Sequence, residues 1–242
     1  MTPPRRIVSL APAATATLDA LGVADRLAGV TSHHRGDIDA AVLGGWLDPD
    51  LDRVDALDPD LVCTSDALQS DVRDAIRDRG IRVHDVDATT LPEAIEGFAA
   101  LGAAVGESEA GERLAARSRE RLDRVRARAT DDAPTVYCEE WADPPMAAGN
   151  WVPEVVAAAG GEYPFVDPGD RSRAVSKATV EAADPDHVVL HLCGQGTDVD
   201  PATVTERGWD IDAAVHVVDD ALLNQPSPNL LDGAKRLADL FE

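Results

Sequence analysis

The sequence predicts an α/β protein of two three-layer α/β lobes bridged by a long helical backbone. Three observations carry that reading. Short β-type runs alternate with helical stretches, as they do in parallel α/β units. A helix-rich middle breaks the alternation. The two flanks of that middle repeat one another, each running from a helix end through Pro and Asp into an apolar strand. The expected organisation is an N-terminal lobe over 1–90, the bridging helices over 91–130 and a C-terminal lobe over 131–242.

The elements follow in chain order. Ile7 to Leu10 reads as a first strand and Ala13 to Leu21 as the helix after it, ending at Gly22; Leu27 to Val30 is a second short strand. Leu61 to Cys63 and Val83 to Val86 are further strands, with a helical stretch at 67–79 between them. From Leu91 to Ala129 there is no strand signal. Pro92 suits a helical first turn, and Ile95, Phe98, Leu101 and Val105 recur at helical spacing. Gly106 interrupts, and helix resumes from Glu107. The second lobe then opens with a strand at Thr135 to Cys138 and a helix at 151–159, closed by Gly160-Gly161. Strands at Val188 to Leu190 and Val215 to Val218, and a helix at 228–241, complete it. The repeat lies in Leu57-Asp58-Pro59-Asp60-Leu61 against Ala183-Asp184-Pro185-Asp186-His187. The two prolines are separated by nearly the same stretch of chain as the opening strands at Ile7 and Thr135.

Composition bounds the function. With 45 acidic against 22 basic residues the formal charge is −23. Such a surface repels phosphate backbones and excludes nucleic acid as a main partner. It suits molar salt, where the Debye length shrinks to about 3 Å, and is read as halophilic adaptation. No apolar run reaches the ~18–20 residues that span a bilayer. Cys63, Cys138 and Cys193 are isolated, which argues against a disulfide framework or structural zinc and for buried, reduced thiols. Arg113, Arg117, Arg121, Arg124 and Arg128 form a helical stripe, read as charge held against an acidic body. Arg5-Arg6 before Ile7 to Ala16 looks superficially like a twin-arginine signal, but Pro12 and Asp19 break the apolar region. If Met1 is the true start, the chain is expected to be cytoplasmic; the alternative is an extracytoplasmic, membrane-associated protein.

No catalytic set emerges: there is no phosphate loop, no GxGxxG after a strand and no GxSxG elbow. His84, His187 and His216 read as structural or solvent-facing strand histidines, and the spacing of His187 and His191 on a strand is not helical zinc geometry. His33-His34 sit in a loop after a strand end, where parallel sheets place ligands. Aromatic residues make up only 4 % of the chain, so Trp46, Trp141 and Trp151, read as lying outside strand interiors, are candidates to line a pocket. Trp209 is read as structural.

These residues carry a family resemblance. Arg6-Ile7-Val8-Ser9-Leu10-Ala11-Pro12-Ala13-Ala14-Thr15, the stretch from Trp46 through Leu51-Asp52-Arg53-Val54, and Leu57-Asp58-Pro59-Asp60-Leu61-Val62 stand in its order and spacing. So do Gly80-Ile81 through Val86-Asp87-Ala88-Thr89 and Pro144-Pro145 through Gly160-Gly161. The chain resembles the helical-backbone substrate-binding proteins of ABC importers for cobalamin, siderophores and haem, and is closest to the cobalamin-binding branch. The resemblance implies a non-enzymatic protein that holds a corrinoid, or a related metal chelate, in a cleft between its lobes. It implies that Trp46 packs on the ligand, that Pro12, Ala13 and Ala14 approach it by backbone, and that His33 stands where the family has an aromatic side chain. Ser65 and Ser172 stand where one member has tryptophans, with Trp141 and Trp151 compensating from neighbouring positions. The last cleft element is implied to run from Asp220 to Asn229. There Gln225 and Asn229 replace frequent arginines, which weakens the case for a highly anionic siderophore. Docking on a permease is implied through Asp52 and, as a substitute in the second lobe, Glu181. Four other readings stand beside this one: a cytoplasmic corrinoid-delivery protein without a permease, an iron-siderophore or haem binding protein, an enzyme acting on a metallo-ligand through His33 or His34, and an interaction module without a small ligand.

Overall fold

The computed structural model describes residues 2–130 and 132–242. Met1, on which the cytoplasmic reading turns, and Asp131, where the second lobe was expected to start, lie outside the described residues. The chain forms two compact units. The first takes residues to Ala88, Pro92–Ser118 and Pro226–Pro228; the second takes Thr89–Leu91, Arg119–Gln225 and Asn229–Glu242.

The first unit contains β1 (Ile7–Ser9), α1 (Pro12–Ala20), β2 (Leu27–Val30), β3 (Ala41–Val42), α2 (Leu51–Ala56), β4 (Leu61–Ser65), α3 (Ser70–Asp78) and β5 (Val83–Val86). Its strands pair in the order β3-β2-β1-β4-β5, all parallel. Strands β1 and β4 are buried on both faces, which is why they read as unbroken apolar runs and not as alternation. One side of the sheet packs Ile7, Leu18, Leu61 and Leu101; the other packs Val8, Leu10, Val54 and Ile76. Strand β3, two residues long, is too short to leave a sequence signal.

Helices α4 (Leu91–Ala104) and α5 (Ser108–Arg126) follow. Gly106 breaks them apart with φ +82°, a conformation open to glycine at little cost. A Cβ on Gly102 would lie 2.7 Å from the Gly111 Cα, so small residues let α4 and α5 touch backbone to backbone. The chain leaves the first unit within α5, after Ser118.

The second unit contains β6 (Val136–Ala142), β7 (Pro145–Ala147), α6 (Val152–Ala158), β8 (Arg173–Ala174), α7 (Lys177–Ala183), β9 (His187–Leu190), α8 (Ala202–Glu206), β10 (Ala214–Val217) and α9 (Leu230–Phe241). The order is β10-β9-β6-β7-β8. Strands β10, β9 and β6 are parallel, but β7 and β8 run antiparallel, which corrects the expectation of parallel strands alone. Only Asp143 and Pro144 join β6 to β7, and a link that short permits a hairpin but no parallel crossover. The same hairpin corrects the placing of Trp141, which lies on β6 opposite Met146.

The sequence repeat is a structural device used twice. At each copy a helix ends on an Asp with φ 46°, Asp58 and Asp184, and the following Pro blocks further helix. The next Asp then binds the entry of the neighbouring strand. Asp60 Oδ2 accepts from the backbone N–H of Arg5 and Arg6 at 2.8 and 3.0 Å. Asp186 Oδ2 accepts from the N–H of Thr135 at 2.7 Å. These bonds hold the Asp60 carboxyl below the ordinary range.

The arginine stripe pairs with acids, as expected from the charge balance. Arg121 reaches Asp232 at 2.5 Å, and Arg128 reaches Asp239 and Glu242 at 2.7 and 2.8 Å. Cys63 and Cys138 are buried; Cys193 is exposed, a correction that follows from its place in a loop past the end of β9. The fully buried charge of the second unit is Glu139 on β6. Its carboxylate takes a two-pronged bond from Arg207 at 2.6 and 2.7 Å and a third from the Tyr137 hydroxyl at 2.9 Å. The Arg207 guanidinium also lies 5.0 Å from the Trp209 ring centroid, so Trp209 is structural. Breaking a buried pair strands the surviving charge. Glu139→Ala should lower unfolding stability by about 3 kcal/mol, read from urea denaturation followed by tryptophan fluorescence. A change below about 0.5 kcal/mol would show that the pair carries no stability.

Candidate functional site

In open parallel sheets ligands bind outside the carboxyl ends of the strands, where the strand order reverses. In the first unit that place is beside β1 and β4. Five loops meet there: Leu10–Pro12 after β1, Thr31–His34 after β2, Leu43–Trp46 after β3, Ser65–Gln69 after β4 and Asp87–Ala88 after β5. Pro12, Ala13, His33, Trp46 and Ser65 all belong to this edge.

One side chain missed in the sequence ties the edge together. Gln69 is fully buried. Its Nε2 donates to the Leu10 carbonyl at 2.8 Å and to the Trp46 carbonyl at 2.6 Å, and its Oε1 accepts from the Ser65 N–H at 2.7 Å. A single amide thus fixes the loops after β1, β3 and β4. Just before it, Asp66 sits at φ 65° and its side chain accepts from the Leu68 N–H at 2.7 Å, which turns the chain back toward the sheet.

Trp46 is presented by a tight loop. Gly44 pairs with Pro49 and has φ +105°; a Cβ there would stand 2.9 Å from the Asp48 carbonyl oxygen. The indole is half-buried. Helix α1 begins at Pro12 with no side-chain cap at Ala11. The side chains of Ala13 and Ala14 are buried, which leaves the backbone as the part of this turn able to face a ligand. His33 is exposed, and its Nδ1 lies 3.4 Å from Ser32 Oγ. His34 Nδ1 bonds the Thr31 carbonyl at 2.8 Å. Ser65 is buried at the end of β4.

The second unit has its own strand-end face. His191 follows β9 and is fully buried. Its Nδ1 hydrogen-bonds Asn224 Oδ1, while Asn224 Nδ2 donates to the His191 carbonyl at 2.9 Å and to Cys193 Sγ at 3.0 Å. Asp220 receives the N–H groups of Gly194 and Gly196, both at 2.9 Å. Gln225 is half-buried, with its Nε2 3.4 Å from the Ala221 carbonyl. Burial raises the Glu140 carboxyl above the ordinary range, against a hydrogen bond from Ser172. Ser172 Oγ also accepts from the Gly149 N–H at 2.9 Å.

Two tryptophans differ from expectation. Trp151 is buried, and its Nε1 donates to the Leu223 carbonyl at 2.6 Å; it is a core anchor, because it opens α6 on the inward side. Trp141 is half exposed, and its Nε1 donates to the Asp143 carbonyl at 2.9 Å. His187 and His216 pair at 2.9 Å on neighbouring strands, and burial lowers the affinity of each for a proton.

Among the described residues, four buried side-chain polar atoms have no hydrogen-bond partner: Thr31 Oγ1, Trp46 Nε1, His191 Nε2 and Gln225 Oε1. Buried polar atoms are almost always paired, so their positions are informative. Each follows the carboxyl end of a strand: β2, β3, β9 and β10 in turn. Thr31 and His191 escaped the sequence reading. Among the described residues no group of three or more His, Cys, Asp or Glu stands close enough to hold a metal ion, and no helix is long and apolar enough to cross a membrane.

Two measurements test this geometry. Gln69→Glu keeps the acceptor for Ser65 and removes both donated bonds; leaving the Leu10 and Trp46 carbonyls unpaired should cost about 2–4 kcal/mol, read from urea unfolding. Wild-type stability in that variant would mean that the loops are held by other bonds. His191 gives a pH signature. Burial pushes its imidazole down to about 4, against an unfolded value near 6.5. The unfolded chain therefore gains a proton first as pH falls. Its contribution is complete above about pH 6.5 and is lost towards pH 4, roughly 3 kcal/mol in all. Subtracting the pH–stability curve of His191→Gln from that of the wild type should leave this slope; a flat difference would contradict a buried neutral imidazole.

Residues 7–214 match the family described as periplasmic binding protein. A vitamin B12-binding protein of Vibrio cholerae is 26% identical over 250 residues, covering 97% of this chain and 88% of that one. A cobalamin-binding protein of Halobacterium salinarum is 28% identical over 263 residues, covering 98% and 69%. In fold, the chain is similar to a periplasmic haem-binding protein from Pseudomonas aeruginosa, with TM-score 0.85, 23% identity, and 98% and 92% of the two chains covered. The chain belongs to the periplasmic binding protein family, a family of binding proteins and not of enzymes.

Proposed function

We propose that this chain binds a corrinoid as the substrate-binding component of an ABC-type uptake system. The observation that carries the proposal is the placement of the four unpartnered buried atoms on loops that leave the carboxyl ends of strands. At the strand-end face of the first unit a ligand with peripheral hydrogen-bonding groups would satisfy Thr31 and Trp46, and the half-buried Trp46 would offer a flat apolar face to a macrocycle; at that of the second unit such groups would satisfy His191 and Gln225. The cobalamin-binding relatives from Vibrio cholerae and Halobacterium salinarum favour the corrinoid over other chelates. Pro12, Ala13, Ala14, His33 and Ser65 remain proposed ligand residues of the first unit, and Trp141, Ser172, Asp220 and Gln225 of the second; Trp151 drops out, because its indole is engaged in the core.

A permease partner follows from the same reading. Asp52 is exposed in the first turn of α2 and is the proposed docking carboxylate of the first unit. Glu181 accepts from the Asp210 N–H at 2.6 Å and lies 3.4 Å from Lys177, so its carboxylate is the weaker candidate. The role places the protein outside the cytoplasm. Haem is the second reading, favoured by the fold likeness to the Pseudomonas aeruginosa protein.

Calorimetric titration of the pure protein in molar KCl with cyanocobalamin and, separately, haemin tests both. The proposal expects cyanocobalamin to bind, and Trp46→Ala to weaken it at least tenfold, about the contribution of one aromatic anchor. Haemin binding without cyanocobalamin binding would overturn it in favour of the second reading.

A further inference from the structure

The protonation pattern at the strand-end face of the second unit specifies the ligand chemistry it reads, an inference that rests on the corrinoid reading. The chain of assignment begins at Asn224. Its Nδ2 is the end that faces two acceptors, the His191 carbonyl and Cys193 Sγ, so its Oδ1 is the end that faces His191 Nδ1. An amide oxygen only accepts, so His191 Nδ1 carries the proton. In a neutral imidazole the other nitrogen then holds a bare lone pair. That nitrogen, Nε2, is buried and has no partner. Burial favours the neutral ring.

Gln225, one residue beyond Asn224, repeats the pattern. Its Nε2 faces the Ala221 carbonyl, and its Oε1 is buried and unpartnered. Both orphan atoms of this unit are therefore acceptors. The titratable groups nearest them add no positive charge: Asp220 acts on His191, and Glu140 and Asp220 both act on Cys193. Arg207, the cation at the end of α8, is committed to Glu139.

We infer that His191 Nε2 and Gln225 Oε1 form a pair of acceptors that select N–H-bearing side chains, the carboxamides on a corrinoid rim, and reject carboxylates. A carboxamide donates to a lone pair. A carboxylate brings only further lone pairs and a charge of the same sign as Asp220. Leaving such acceptors unpaired is the mode of discrimination that separates ligands most steeply. His191 lies directly after β9, and Gln225 on the segment after β10. The face therefore separates amide-bearing corrinoids from ligands that carry propionate or other carboxylate arms.

A matched pair of ligands tests this. Dicyanocobinamide carries peripheral carboxamides; dicyanocobyrinic acid carries carboxylates on the same ring. Both are titrated calorimetrically at pH 7 in molar KCl, with cyanocobalamin as reference. The wild type is expected to prefer the amide form at least a hundredfold. His191→Leu and Gln225→Leu should each weaken dicyanocobinamide about tenfold and dicyanocobyrinic acid much less, so that the preference narrows. Gln225→Lys, which places a cation at the rim of the face, should narrow it further by strengthening the acid form. Equal binding of the two forms by the wild type, with cyanocobalamin bound, would overturn the inference and leave the corrinoid reading standing. A preference unchanged in all three variants would do the same. Failure of all three corrinoids to bind would overturn the corrinoid reading, and this inference with it.

Discussion

The site of the first unit depends on one buried carboxamide. Gln69 joins the chain ends of β1 and β4 to the loop after β3, taking one N–H and supplying two. A hydrophobic residue of the same volume would fill the space but strand three backbone groups, each costly to bury unpaired. A carboxylate would satisfy only one of them. The residue is set by hydrogen-bond arithmetic and not by packing, which is why neither apolar periodicity nor charge pattern points to it. The loop that presents Trp46 is fixed from this side by Gln69 and from the other by the Gly44–Pro49 pairing. The indole is therefore held by backbone bonds while its own N–H stays unpartnered.

The fold was legible in the sequence wherever local chemistry and tertiary structure asked for the same thing. The Pro-Asp-strand repeat is the clearest case, because Pro stops the helix, the strand-binding Asp60 and Asp186 need a short acceptor, and Asp is among the few residues other than Gly that visit the left-handed conformation of Asp58 and Asp184. Buried parallel strands announced themselves as apolar runs. The elements that escaped are those whose reason is non-local. Strands β7 and β8 contain Pro145 and Arg173; β7 exists because a hairpin at Asp143-Pro144 brings it beside β6, and β8 because the chain returns much later to the edge that β7 makes. The acidic run Glu139-Glu140 looks like loop, yet Glu139 is buried inside a strand because Arg207, far along the chain, arrives to meet it.

The candidate site was legible by region more than by residue. Position after a strand end pointed to His33, aromatic scarcity to Trp46, and the family resemblance to Pro12 and Ser65; the four lie on loops at the carboxyl edge of one sheet. Scarcity gave no way to distinguish Trp151, which also opens an element, from Trp46. What separates them is where each indole N–H goes: Trp151 has the Leu223 carbonyl, and Trp46 has none. His191 was hidden for the opposite reason. Its spacing from His187 speaks only to metal geometry, while its chemistry comes from Asn224, which lies in a separate loop.

The surface charge and the site electrostatics then make a consistent pair. A chain at −23 would repel an anionic ligand at long range in dilute buffer, but in molar salt that field decays within a few ångströms. At that ionic strength long-range steering is unavailable in either direction, and recognition is settled by contacts. Buried contacts escape screening. The unpaired lone pairs of His191 and Gln225 and the adjacent carboxyl groups keep their force at any ionic strength. An acidic exterior suited to salt thus places no constraint on the ligand, whereas a few desolvated atoms on loops after β9 and β10 place a strong one.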